Sequence, residues 1–147
     1  MAVAKGIGSG FPLGACMSSN KACIGMVKGS HGSTFGGNSL AVSVGIEVVK
    51  ILIDQNFMDV VNENARYLWI KLKELEKELD EIVEIRGAGL LLGIKTKTNN
   101  LKINNLLTEN GILCVPASDN IIRLAPPLII NKDEINEGLQ IIKKTLI

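Results

Sequence analysis

The stretch AKGIGSGFPLGA, residues 4–15, places a single lysine, Lys5, at the head of a glycine-rich turn. Glycines let the backbone adopt positive φ values and approach a ligand closely. A primary amine in such a turn is suited to holding a carbonyl cofactor as a Schiff base, and burial would keep part of the amine neutral and nucleophilic. Taken alone, the segment also fits a solvated lysine in an ordinary loop.

Two common phosphate-binding motifs are absent from this stretch. A P-loop needs the order Gly-Lys-Ser/Thr, whereas here Lys5 precedes the glycines. Gly6, Gly8 and Gly10 give G-x-G-x-G instead of G-x-G-x-x-G, and no strand-forming run comes before them. The sequence therefore does not indicate a dinucleotide site.

The composition is that of a packed globular protein, with 46% hydrophobic and 21% charged residues. The formal net charge is +1 and aromatic residues make up 3%, which argues against a nucleic-acid or membrane partner. Cys16, Cys23 and Cys114 show no Cys-x-x-Cys spacing and indicate reduced thiols of a cytoplasmic protein. Because His31 is the only histidine, we expect no metal site.

Hydrophobic periodicity predicts an α/β arrangement in which helices pack on one sheet. A helix is expected from Ser39 to about residue 56, with Asn38 as its N-cap and most of its surface buried. A second helix, residues 57–79, carries one apolar and one charged face. The last helix starts after Asn131, which is in capping-box register with Glu134. The shorter predicted elements are strands at 83–86, 90–95, 112–115 and 120–124, a bulge or bend at 87–89, and a helix at 101–110.

Three further segments carry glycine or polar residues at the ends of predicted elements. They are GSHGSTFGGN at residues 29–38, IRGAGLLLG at residues 85–93 and NIIRLAPPL at residues 120–128. From the residues alone, Ser33 and Thr34 fit either phosphate binding near a helix start or ordinary turn chemistry. Arg123 likewise fits either carboxylate binding or a solvent-facing place on an edge strand.

In their order and spacing, these three segments and residues 4–15 resemble the class III aminotransferases, a family of pyridoxal-phosphate enzymes that includes the acetylornithine and ornithine aminotransferases. The resemblance extends over essentially all 147 residues. It implies the C-terminal portion of a fold-type I pyridoxal-phosphate-dependent transferase, an α/β fold. Residues 1–80 would form the end of the large cofactor-binding domain with interdomain helices, and residues 81–147 the small C-terminal α/β domain.

The same resemblance implies roles for four residues. Lys5 would hold pyridoxal 5′-phosphate and then move a proton between the substrate Cα and the cofactor C4′ atom. Thr34 would bind the phosphate of a cofactor held mainly by the other subunit, and Ser33 would contact substrate. Arg123 would bind a substrate carboxylate. The active site is accordingly expected at the interface of a homodimer.

Within the family, the resemblance favours transamination of N-acetylornithine with 2-oxoglutarate in arginine biosynthesis. Two alternatives stay open, namely an ornithine aminotransferase, or a non-catalytic dimerisation or binding module that retains the aminotransferase C-terminal fold. The family's cofactor lysine lies past the middle of its chain, so we expect this sequence to be a fragment that is inactive by itself. Such a fragment would expose apolar surface that the rest of an enzyme covers.

Overall fold

Two consecutive helices, α1 (Ser39–Leu52) and α2 (Gln55–Glu78), occupy the middle of the chain. The computed structural model describes all residues from Met1 to Ile147. Contacts divide them into two units, Met1–Met58 and Asp59–Ile147, so the division falls in the first turn of α2. The predicted division at residue 80 concerns the domains of a whole enzyme and stays a prediction.

The first unit consists of a small hairpin, several turns and α1. Strand β1 (Ala2–Val3) pairs antiparallel with β2 (Ala15–Cys16), and the loop between them begins with a 3-10 turn, Lys5–Gly8. Asn38 caps α1 as predicted, because its side-chain oxygen accepts a hydrogen bond from the Ala41 N–H at 2.9 Å.

Helix α1 ends at Leu52, four residues before the predicted end at 56. The reason is that Asp54 starts the next helix instead of extending this one. Its carboxylate accepts a hydrogen bond from the Phe57 N–H at 2.8 Å, which is a typical N-terminal capping contact.

The first unit buries very little of itself. Its fully buried residues are Gly8, Ala41 and Gly45. The expectation that most of α1 is buried is therefore wrong for this chain. Six large apolar side chains of α1 are exposed, namely Leu40, Val42, Ile46, Val49, Ile51 and Leu52. Periodicity identifies a face that favours burial, but it does not say that neighbouring residues supply the cover.

The second unit is a four-stranded antiparallel sheet covered by helices on one face. The strand order is β3-β4-β6-β5, which makes β3 and β5 the edges. The strands are β3 (Ile82–Ala88), β4 (Leu91–Thr96), β5 (Val115–Ala117) and β6 (Ile121–Leu124). Helices α3 (Asn100–Glu109) and α4 (Lys132–Leu146) complete this unit. None of the helices is both long and apolar enough to cross a membrane.

Two details of the sheet differ from the sequence-based prediction. The strand expected at 112–115 is wrong, since β5 runs from Val115 to Ala117 and contains Pro116. An edge strand tolerates proline because its outer side has no neighbouring strand to receive a hydrogen bond. Of the bulge or bend predicted at 87–89, the chain has the bend, as the hairpin turn between β3 and β4, while the register irregularity lies between Ile82 and Glu84.

Gly87 is required by the close approach of β3 and β4. Its φ is +132°, and a Cβ at this position would lie 2.2 Å from the Leu91 carbonyl oxygen. Any other residue would therefore force the two backbones apart.

The core of the second unit is the apolar stripe of α2 together with the inner faces of the sheet and α4. The predicted stripe is confirmed, because all its members are at most 8% exposed: Val61, Ala65, Leu68, Leu72, Leu75 and Leu79. The apolar face of α4 is likewise buried, and its predicted capping box between Asn131 and Glu134 is present. Polar contacts join α2 to α4, as the Tyr67 hydroxyl donates to Asn136 Oδ1 at 2.7 Å.

We expect Leu72→Ala to lower the free energy of unfolding of the chain by about 2–5 kcal/mol, because it leaves a cavity at a fully buried position. Urea denaturation followed by circular dichroism measures the change. The matched control is Ile70→Ala on the same helix, where the side chain is 49% exposed and the expected change is within about 0.5 kcal/mol. Equal losses for the two variants would contradict the assignment of the α2 stripe to the core.

Candidate active site

Lys5 begins the 3-10 turn and adopts a left-handed backbone conformation with φ +58°. Two residues further along the same loop also have positive φ, namely Ser9 (+45°) and Gly10 (+99°). A non-glycine residue in this region is uncommon, and such strain concentrates at functional sites. The backbone around Lys5 is thus folded into a tight loop within a few residues.

The Lys5 loop surrounds a shallow pocket of about 380 Å³, lined by Lys5, Gly6, Gly10, Phe11, Pro12 and Leu13. The Lys5 side chain is exposed, and the residues of this chain do not bury its amine. No acidic side chain pairs with it. An unpaired amine beside an open pocket has the chemistry needed to engage the aldehyde of a carbonyl cofactor.

Helix α1 packs against this loop through the Leu13 side chain, which lies close to the helix backbone at Gly45. A Cβ built on Gly45 of α1 would lie 2.7 Å from Leu13 Cδ2, so a glycine lets the helix approach the loop. Gly8 is buried within the loop, and a Cβ there would lie 3.1 Å from Leu13 Cβ. Leu13 therefore connects the Lys5 turn to α1.

Ser33 and Thr34 lie in an exposed turn that precedes α1. The Gly36 N–H donates to the Ser33 carbonyl at 3.2 Å, and the helix itself starts only at Ser39. The field of a helix N-terminus decays within about one turn. Thr34 therefore offers its hydroxyl and loop N–H groups, and it does not sit at the helix terminus.

Arg123 lies on β6 in the second unit and its side chain is exposed. The interpretation as an edge-strand residue is wrong, because β6 is an inner strand between β4 and β5. Directly opposite Arg123 stand Gly93 on β4 and Val115 on β5. No acidic side chain of the chain pairs with this guanidinium, which leaves its bidentate fork available for a carboxylate.

The candidate residues fall into both units, with Lys5, Ser33 and Thr34 in Met1–Met58 and Arg123 in Asp59–Ile147. Within the second unit, sequence reasoning missed the ion pairs of Asp119. Its two carboxylate oxygens lie 2.8 Å from Lys95 Nζ and 3.2 Å from a terminal nitrogen of Arg86. The Asp-Asn pair in the turn before β6 was the available signal, since these residues favour hairpin turns with positive φ.

The sequence profile of the family described as aminotransferase class-III matches residues 1–146. This chain belongs to the class III aminotransferases. Members of the family depend on pyridoxal phosphate. The unpaired amine of Lys5 has the chemistry to hold the aldehyde of such a cofactor, and the exposed hydroxyl of Thr34 has the chemistry to bind the phosphate of one.

Acetylornithine aminotransferases are among the relatives of this chain. It is 45% identical to that of Mesorhizobium japonicum over 144 residues, covering 97% of this chain and 36% of the relative. It is 44% identical to that of Agrobacterium fabrum over 140 residues, covering 95% of this chain and 35% of the relative. The chain thus spans little more than a third of the length of these curated relatives.

Solved aminotransferase structures share the fold. An acetylornithine aminotransferase from Elizabethkingia anophelis matches with a TM-score of 0.87 and 31% identity, covering 99% of this chain and 39% of that one. The ornithine δ-aminotransferase of Plasmodium falciparum matches with a TM-score of 0.89 and 32% identity, over the same shares of the two chains. The predicted fold class is confirmed.

The three thiols differ in environment. Cys16 and Cys23 are exposed, whereas Cys114 is partly buried, and this desolvation raises the pKa of Cys114 to about 11. No group of three or more His, Cys, Asp or Glu side chains is arranged to hold a metal ion. Because its pKa is raised, Cys114 is a poorly nucleophilic thiol at neutral pH.

We expect iodoacetamide at pH 8 to label Cys16 and Cys23 well before Cys114, as measured by peptide mass spectrometry. The thiolate is the reactive form, and with a pKa of about 11 only about one Cys114 thiol in a thousand is ionised at pH 8. Labelling of Cys114 should accelerate as the pH rises toward its pKa. Labelling in urea, where burial is lost, serves as the control, and equally fast labelling of all three thiols without urea would contradict the expectation.

Proposed function

We propose that this chain is part of a pyridoxal-phosphate-dependent aminotransferase that converts N-acetylornithine with 2-oxoglutarate in arginine biosynthesis. The observation that carries the proposal is the 45% identity to the Mesorhizobium acetylornithine aminotransferase over 97% of this chain. The unpaired lysine in the glycine loop and the unpaired arginine on β6 agree with that chemistry.

Lys5 is the residue we assign to the central step. Pyridoxal phosphate, when bound, supplies the electron sink that makes the substrate Cα proton removable. The Lys5 amine binds the cofactor, and once released it takes the proton from the substrate Cα. The open pocket beside Lys5 gives the amine the freedom of movement that both tasks require.

The other three residues bind and orient. Thr34 donates its hydroxyl to the cofactor phosphate, and Ser33 contacts the substrate. Arg123 binds a substrate carboxylate through two parallel hydrogen bonds, which fixes the orientation of an amino acid or a keto acid. We infer that the complete site lies at the interface of a cytoplasmic homodimer, with Thr34 reaching the cofactor of the other subunit.

We further infer that the isolated 147-residue chain does not transaminate. The motivation is its coverage of 36% of the Mesorhizobium relative, together with the exposed apolar face of α1. An exposed face of this kind also favours aggregation.

A second candidate is an ornithine aminotransferase. The structural similarity to the Plasmodium falciparum ornithine δ-aminotransferase, at a TM-score of 0.89, supports it. The two candidates use the same chemistry and differ in whether the substrate's distal amine is acetylated.

A chimera tests the proposal. In it this chain replaces the matching 144 residues of the Mesorhizobium enzyme. We expect the chimera to form glutamate from N-acetylornithine and 2-oxoglutarate faster than from ornithine, as measured by a coupled glutamate assay. The reverse preference would favour the ornithine enzyme. A soluble, cofactor-loaded chimera that turns over neither substrate would refute both candidates.

In the same chimera, Lys5→Ala should reduce kcat by about 10²–10⁴-fold or more, because the proton transfer loses its base. The matched control is Lys21→Ala, which removes another exposed lysine of the same unit and should leave kcat unchanged. Absorbance of the bound cofactor checks loading in each variant. Full activity of the Lys5 variant would remove the catalytic assignment.

Arg123→Ala should raise the KM for 2-oxoglutarate about 10- to 100-fold, the effect of losing hydrogen bonds to a charged group. Arg123→Lys keeps the charge but loses the planar fork, so an intermediate KM is expected. Arg66→Ala is the control, since Arg66 is an exposed arginine on α2. Equal KM values for the Arg123 and Arg66 variants would show that Arg123 binds no carboxylate.

A further inference from the structure

The face of the sheet that points away from the buried core carries a row of residues in direct register. Arg86 stands opposite Gly93, and Gly93 stands opposite Arg123. Opposed residues on neighbouring strands share one face of a sheet. The two arginines are thus on the same face, about 10 Å apart at two strand spacings. The Ile121 side chain packs over the glycine between them, since its Cγ2 lies 2.9 Å from where a Cβ of Gly93 would be.

A third cation belongs to this face, because Lys95 follows Gly93 by two positions on β4. Three cations on one small face would attract any ligand with several negative charges. Glu84 offsets little of this charge, since its carboxylate lies 4.0 Å from Arg86 and both side chains are about half exposed. The binding properties of the face therefore depend on what else pairs with its cations.

Asp119 is the residue that pairs with two of them. Its carboxylate contacts Lys95 at 2.8 Å and Arg86 at 3.2 Å, and it reaches them from the turn between β5 and β6. The hydrogen bond from Lys95 is the main cause that lowers the pKa of Asp119, so the carboxylate is charged at neutral pH. Arg123 is left as the cation of this face without an acidic partner.

The backbone at Asp119 argues that its side chain has a role beyond the turn. Asp119 and Asn120 both have positive φ, +62° and +57°, a region where the second position of a hairpin turn usually has glycine. The Asn120 amide holds its own position by donating to the carbonyls of Thr96 and Thr98, at 2.6 and 2.8 Å. The contacts of the Asp119 side chain are made with Lys95 and Arg86 instead.

We propose that Asp119 is a specificity-determining residue, an internal counterion that occupies Arg86 and Lys95 and leaves Arg123 as the single carboxylate-binding cation of this face. The proposal rests on the carboxylate role of Arg123 in the proposed function. A dicarboxylate then binds here through one end only, and its second carboxylate finds no free cation on the sheet. Removal of the Asp119 charge frees two cations and converts the face into a site for dicarboxylates.

The test compares glutarate with pentanoate, which have the same number of carbons but two carboxylates and one. The full 147-residue chain is titrated at low ionic strength, and the Nε–Hε signals of its arginines are followed by NMR. In the wild type, both ligands should shift the Arg123 signal with similar dissociation constants. In Asp119→Asn, glutarate should bind about two- to fivefold more tightly relative to pentanoate, the size expected for exposed ion pairs, and should also shift Arg86.

Three further variants sharpen the result. Asp119→Gly removes the same carboxylate and suits the positive φ, so it should reproduce the Asp119→Asn result. Asp119→Glu keeps the charge and should restore the wild-type ratio. Asp80→Asn removes an equal charge from an exposed pair with Lys97, at 2.6 Å, and should leave the ratio unchanged.

An unchanged ratio of the glutarate and pentanoate dissociation constants in Asp119→Asn would overturn the proposal. An equal change of this ratio in Asp80→Asn would also overturn it, because the effect would then come from net charge alone. A different result would refute the carboxylate role of Arg123 on which the proposal rests, whereas the transamination is tested separately by the chimera. If neither ligand shifts Arg123 in the wild type, then Arg123 binds no carboxylate, and the role of Asp119 falls with it.

Discussion

The burial of the α2 stripe is the interaction on which the second unit depends. Four short antiparallel strands with one apolar face cannot stay folded unless that face is removed from water. Leu72 is fully buried, and it shares this core with Leu92 on β4 and Ile122 on β6. The sheet can therefore place Arg123 at a fixed position on its outer face because helices hold its inner face. Rigid support from regular elements is what a carboxylate-binding arginine needs.

In the first unit, by contrast, the apolar face of the helix is left largely exposed. Its helix α1 has the same kind of apolar periodicity as α2, yet the buried residues of the helix are Ala41 and Gly45. Both are small, so they allow a close approach to the Lys5 loop and contribute little buried area themselves. The geometry at Lys5 is thus set by backbone turns and glycine contacts, while the larger apolar side chains of α1 remain exposed.

Local rules predicted the parts of the fold that depend on neighbours in sequence. The capping box at Asn131 and the N-cap at Asn38 each involve residues three positions apart, and both are present. Strand β5 was misplaced because its limits follow from pairing with β6, which no local pattern encodes. The glycine-rich segment singled out Lys5 as a candidate, but it could not predict the exposure of Lys5, because burial depends on surfaces that are distant in sequence. The ion pairs of Asp119 were missed for the same reason, since Lys95 is 24 residues away.

The exposure of Lys5 and the exposure of α1 are two consequences of one fact, the lack of apolar cover on the first unit. Burial of the Lys5 side chain requires atoms around the loop that Met1–Met58 does not supply. The same added atoms would bury the apolar side chains of α1, which contribute the larger hydrophobic free energy. Covering α1 would therefore drive the assembly, and a change in the reactivity of Lys5 would accompany it. On this view the apolar face of α1 and the proposed cofactor amine of Lys5 are thermodynamically linked, although we assign no side chain of α1 a part in the chemistry.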